Sequence, residues 1–230
     1  MKQRTIKAVF LYRIFGFLIS IGGIVLHLLA DHVIETGFMV RHKLAYFTIQ
    51  TNIFSALLFG VLLLQTVKRR RQEKTWQVGA LSPGLHGALA FYITMTMLGF
   101  WAVLAPTTGI PVNRFLLLNT LILHLITPVL TIVDFLLFCP HGRLQKRHAI
   151  VWLSYPIGYL FLVFLYSGFI REPYYSFRMG EQTVDLMYPY PFLDADVMGA
   201  GGVIIAVLML AAVFYAVARL FIWADNRLSN

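Results

Sequence analysis

Six apolar stretches of about 20 residues recur along this chain, and about 20 is the length a helix needs to cross a roughly 30 Å hydrocarbon core. By number they occupy about 8–30, 44–67, 85–104, 114–138, 149–169 and 198–223. A soluble domain of 230 residues has no interior that could hide six such blocks. Composition agrees, with 59% hydrophobic and only 13% charged residues. The expected fold is all-α: a polytopic membrane protein with six transmembrane helices, forming one domain over residues 1–230. The first block is longer than the roughly 7–15 apolar residues of a signal peptide and lacks an A-x-A site, so it is expected to be retained.

The net charge of +9 invites a nucleic-acid reading, but the charges form no basic face and no recognisable nucleic-acid module. They cluster at the ends of the apolar blocks, where orientation signals belong. Assigned alternately, most of the 19 Lys and Arg fall on one side, including Lys68, Arg69, Arg70, Arg71 and Lys74 after the second block. That bias predicts both termini in the cytoplasm. The long connection before the last block, with Glu172, Glu181, Asp185, Asp194 and Asp196, would then lie outside. It shows no obvious element of its own, and its Tyr, Pro and Phe content (MYPYPFLD) suggests a packed cap over a cavity. The single cysteine, Cys139, has no partner for an internal disulfide and reads as a bland interfacial residue.

The fourth block carries a polar stripe that an anchoring helix has no reason to keep. Thr120, His124, Thr127, Thr131 and Asp134 are spaced by four, three, four and three, which is one helix face. Polar and ionisable groups at membrane depth are expensive and face a protein interior or a wet cavity. Pro128 removes a backbone donor there and should bend the helix, freeing the carbonyl of His124. The second block opens with AYFTIQTN, and Thr48, Thr51, Asn52 and Ser55 again share a face. Elsewhere the polar residues read as ordinary: His27 interfacial, His86 solvated beside the basic loop, Thr94 and Thr96 packing groups. Tyr159 should lie deeper in the fifth block than the interfacial aromatics around it.

In this topology the second and fourth helices run the same way, with Thr48 and His124 about 7 Å apart in depth by rise, a gap that a tilt of about 20° absorbs. A threonine hydroxyl becomes a nucleophile when a neighbouring base takes its proton, and histidine has the suitable pKa. Gln50, Asn52 and Asn119 carry amide N–H groups at similar depth for a developing oxyanion. Thr51 is a second hydroxyl one turn from Thr48; with Thr127, Tyr159, Tyr190 and Phe192 it is expected to border a substrate. A buried histidine satisfied by a threonine, without chemistry, would give the same spacing. Motifs of metalloproteases, nucleophile-elbow hydrolases and phosphate-binding loops are absent.

The segments AYFTIQTN, LNTLILHLITPVLTIVDFLLF and YPYPFLD, in that order, resemble the androgen-induced and androgen-dependent family of six-helix membrane proteins. The chain looks like a bacterial-type member, which implies the bacterial cytoplasmic membrane. Members of the animal branch are intramembrane threonine hydrolases that cleave fatty acid esters of hydroxy fatty acids. The resemblance implies Thr48, in YFT, as nucleophile, and His124, after the LN pair and before a proline, as the essential histidine. It implies a lipid substrate, contact with membrane lipids, no nucleic acid, no cofactor and no metal. Two other readings stand beside it. One is a non-catalytic lipid-binding protein or proton-coupled transporter, with Asp134 carrying the proton. The other, a metal or haem protein using His27 and His124, lacks clustered ligands.

Overall fold

A computed structural model describes residues 3–33, 39–40, 42–74, 77–179 and 182–229. It carries six helices long and apolar enough to cross a membrane. They are α1 (Gln3–Val33), α2 (Phe47–Glu73), α3 (Pro83–Thr107), α4 (Arg114–Phe138), α5 (Lys146–Ile170) and α6 (Ala195–Leu228). The chain is an integral membrane protein. Its exposure pattern is that of a lipid-soluble fold: Leu11, Phe15, Leu18 and Val25 line the exposed side of α1, while Arg13 and Ser20 are buried.

The residues group into two compact units. The first comprises Met1–His27, Thr48–Leu144 and Asp225–Asn230; the second comprises Leu28–Phe47 and Gln145–Ala224. Four helices fill the first unit, and small residues let them close. A Cβ on Gly16 would stand 2.8 Å from the ring of Phe59 on α2, and one on Gly23 would stand 2.4 Å from Ile122 Cγ2 on α4. The Tyr12 hydroxyl of α1 donates to the Leu130 carbonyl of α4.

Two helices widen into single π-helical turns, at Phe100–Leu104 in α3 and Ile122–Ile126 in α4. Each turn is followed by one residue and then a proline, Pro106 and Pro128. A proline lacks the N–H for the carbonyl four residues back and crowds it sterically, and a widened turn relieves the crowding. The helix runs on through Pro106, past the end of the third apolar block at 104. In α5 the same chemistry breaks the helix at Trp152 and Leu153, upstream of Pro156.

The second unit differs from expectation in one element. The long connection is not structureless: β2 (Tyr175–Met179) and β3 (Gln182–Leu186) pair antiparallel, and β1 (Met39–Val40) pairs with β2 on its other side. Glu181, expected among the acidic groups of this connection, and the side chains of Asp31 and His32 lie outside the described residues. Asp194 caps the start of α6, taking the amides of Asp196 and Met187 at 3.0 Å. Gly199 (φ 67) kinks α6 with nothing within 4 Å of its missing Cβ, so this glycine serves backbone conformation and not close helix approach.

Candidate functional site

The polar stripes of α2 and α4 meet inside the first unit. Thr48 Oγ1 lies 3.4 Å from His124 Nε2, and both side chains are half-buried. The other ring nitrogen, Nδ1, is 3.1 Å from the Thr120 carbonyl oxygen one turn earlier. A carbonyl only accepts, so Nδ1 carries the proton and Nε2 presents a lone pair to the hydroxyl. Phe100, in the π turn of α3, stacks on the imidazole with centroids 4.0 Å apart and planes 22° from parallel. The His124 carbonyl freed by Pro128 is taken by the Trp101 indole N–H at 3.0 Å. The two widened turns therefore hold one histidine between them, ring against Phe100 and backbone against Trp101.

Beneath this pair the small polar groups of α2 are committed. Thr51, fully buried, shares a 2.7 Å hydrogen bond with Thr96 of α3 and approaches the Thr48 carbonyl at 3.1 Å. Asn52 donates one amide proton to the Thr48 carbonyl at 2.8 Å and the other to the Leu123 carbonyl at 3.1 Å. Both protons are then occupied, so Asn52 fixes the spacing of α2 and α4 and offers no donor to an oxyanion. Asn119 donates to the Gly23 carbonyl at 2.8 Å, and its Oδ1 lies 3.3 Å from His27 Nδ1. Gln50 is half-buried two residues past Thr48, about 200° round the helix from it. Thr127 is fully buried, and its carbonyl accepts from Thr131 at 3.0 Å.

Thr48 also sits in the first turn of α2. Backbone N–H groups there have no partner within their helix and carry the positive end of its dipole. The Phe47 amide of this turn is taken by the Tyr159 hydroxyl at 3.2 Å.

Tyr159, Tyr190 and Phe192 belong to the second unit. Tyr159 takes the Phe47 amide at 3.2 Å, Tyr190 meets Tyr46 edge to face, and Tyr190 and Phe192 stack with centroids 5.3 Å apart.

A second polar centre lies at the other end of α4, where the sequence marked Asp134 but not its partners. Arg13 of α1 grips Asp134 with two hydrogen bonds, 2.8 Å from Nε and 3.1 Å from Nη2, and gives Nη1 to the Gly79 carbonyl at 2.7 Å. His86 Nε2 lies 3.2 Å from the second Asp134 oxygen, so His86 is buried in an ion cluster and not solvated. The signal was present: an arginine inside an apolar block demands an acidic partner. Asp225 was missed too. Near the end of α6 it is fully buried, taking the amides of Arg143 and Leu144 at 2.9 and 2.8 Å and facing His141 at 3.1 Å. Cys139 is buried beside it; burial first, and then the Asp225 and Asp134 charges, push its thiol up to about 12, which leaves it un-ionised at neutral pH.

The fold and the site together define a class: an integral membrane protein with an imidazole-paired hydroxyl at the start of a spanning helix. No family model, curated protein or solved structure matches the chain.

Proposed function

We propose that this protein hydrolyses lipid esters within the membrane, fatty acid esters of hydroxy fatty acids or close analogues, with Thr48 as nucleophile and His124 as base. The observation that carries the reading is the 3.4 Å approach of Thr48 Oγ1 to an imidazole nitrogen whose lone pair faces it. Nε2 takes the hydroxyl proton as Oγ1 bonds to the ester carbonyl carbon. The carbonyl oxygen gains the electron pair and points to the first-turn amides of α2. Collapse breaks the ester C–O bond, and the leaving alkoxide takes its proton from His124. Water, deprotonated by the same nitrogen, then releases the acid and restores Thr48. The motif likeness to the androgen-induced and androgen-dependent family supports the same chemistry. On that reading the protein is a bacterial-type member in the cytoplasmic membrane, and the Lys and Arg bias puts both termini in the cytoplasm.

The test is turnover of a fluorogenic lipid ester by purified protein. His124→Ala should cost about 10²–10⁴-fold, the usual range for a general base. Thr48→Ala should abolish the acyl intermediate seen by mass spectrometry. Unchanged turnover in either variant removes the assignment. A second reading, a proton-coupled transporter or non-catalytic lipid binder, is favoured by the buried Arg13–Asp134–His86 cluster. Proton-driven uptake into vesicles that persists in Thr48→Ala would support it.

A further inference from the structure

At the basic end of the first unit, α1 and α2 part around a cavity of about 310 Å³ lined by Phe10, Val67, Arg70 and Arg71. The two helices run antiparallel and touch closely at one level, where a Cβ on Gly60 would stand 3.3 Å from the Phe17 ring. Phe10 lies seven residues before Phe17 and Val67 seven after Gly60, so both sit two turns along the same axis, facing each other. Val67, Arg70 and Arg71 are at positions i, i+3 and i+4, one face of α2. The other cations of the run are turned elsewhere: Lys68 and Arg69 fall about 100° and 200° from Val67, and Arg69 reaches Gln77 at 3.4 Å.

We infer that this cavity is a binding site for the headgroup of an anionic phospholipid. A guanidinium pair matches phosphate oxygens in planar, two-pronged geometry, which a lysine pair does not. Phe10 and Val67 supply an apolar floor suited to the glycerol and first acyl carbons that follow a phosphate. The volume is at the low end for ligand sites and suits a headgroup, not a whole lipid. The position is also right, since basic pockets between membrane helices at their charged ends collect acidic headgroups. The inference is independent of the ester chemistry and needs neither Thr48 nor His124.

The experiment is native mass spectrometry of the full chain released from mixed phosphatidylglycerol and phosphatidylcholine nanodiscs. Three proteins are compared: the parent, Arg70→Gln/Arg71→Gln, and Lys68→Gln/Arg69→Gln, which removes the same charge from the other faces of the helix. The parent should retain phosphatidylglycerol over phosphatidylcholine. The groove variant should lose that preference by roughly thirtyfold, from about 1 kcal/mol per cation. The off-face variant should stay within about threefold of the parent, a value taken as under half of that same per-cation scale. Equal losses in the two variants would reduce the effect to non-specific charge and overturn the site. A parent that retains both lipids alike would overturn it as well. Circular dichroism of each variant reports whether the helices persist, so a binding loss is read only against a folded chain.

Discussion

Arg13 and Asp134 show how much a single residue can carry at membrane depth. The guanidinium is 1% exposed and the carboxylate fully buried, so neither can turn to water if the other is removed. Arg13→Met or Asp134→Leu alone should destabilise the protein by about 3–5 kcal/mol, the cost of stranding one buried charge. The double substitution should recover most of that loss, because two neutral side chains strand nothing. Thermal melting in detergent checks both statements; equal melting of parent and single variants would deny the pair any structural role. At this scale the sequence was half legible. Helical spacing placed Thr48 and His124 on facing stripes, since side-chain period depends only on chain order. It could not show that Asn52 spends both amide protons on carbonyls, because hydrogen-bond partners are a tertiary property. Arg13 follows Lys2, Arg4 and Lys7 and so reads as one more orientation charge, although its apolar neighbours mark it as buried.

Among elements, α1 makes the sharpest case, through two adjacent glycines. Gly23 meets Ile122 of α4 with no room for a methyl group, while Gly22 has nothing within 4 Å. Gly23→Ala should therefore destabilise by about 1–3 kcal/mol through overpacking. Gly22→Ala should be neutral or stabilise by up to about 1 kcal/mol, the helix propensity difference. Melting temperatures of the two variants, moving in opposite directions, test whether α1 and α4 pack as described. Six helices were readable because hydrophobic length is a strong local signal. The β2–β3 hairpin was not foreseen, although Tyr175, Phe177 and Met179 alternate with polar residues ahead of a glycine. Its strands are five residues each, too short to stand out beside spanning helices. Pro128 announced a bend, but only the folded chain shows a pair of widened turns, ahead of Pro106 and Pro128, on one histidine.

For the whole molecule, the exposed surface of the spanning helices is apolar while small polar groups lie buried among them. Leu18 and Leu64 stand 61% and 71% exposed, while Thr51, Asn52, Thr127 and Asp134 are fully buried. Leu18→Lys should lower the membrane-integrated fraction, at a cost of about 2.5–3.5 kcal/mol near a helix centre. Carbonate extraction of membranes measures it; a fraction equal to the parent's would show that this side of α1 does not meet lipid. The Arg13–Asp134 pair has a further consequence, for biogenesis. The two residues lie 121 positions apart in the chain, so the arginine leaves the ribosome long before its counter-charge has been made. Until then the first segment carries an unneutralised cation that resists release into the bilayer. Stable integration of α1 is therefore expected to depend on α4, and a chain cut between the two should leave α1 easier to extract from membranes.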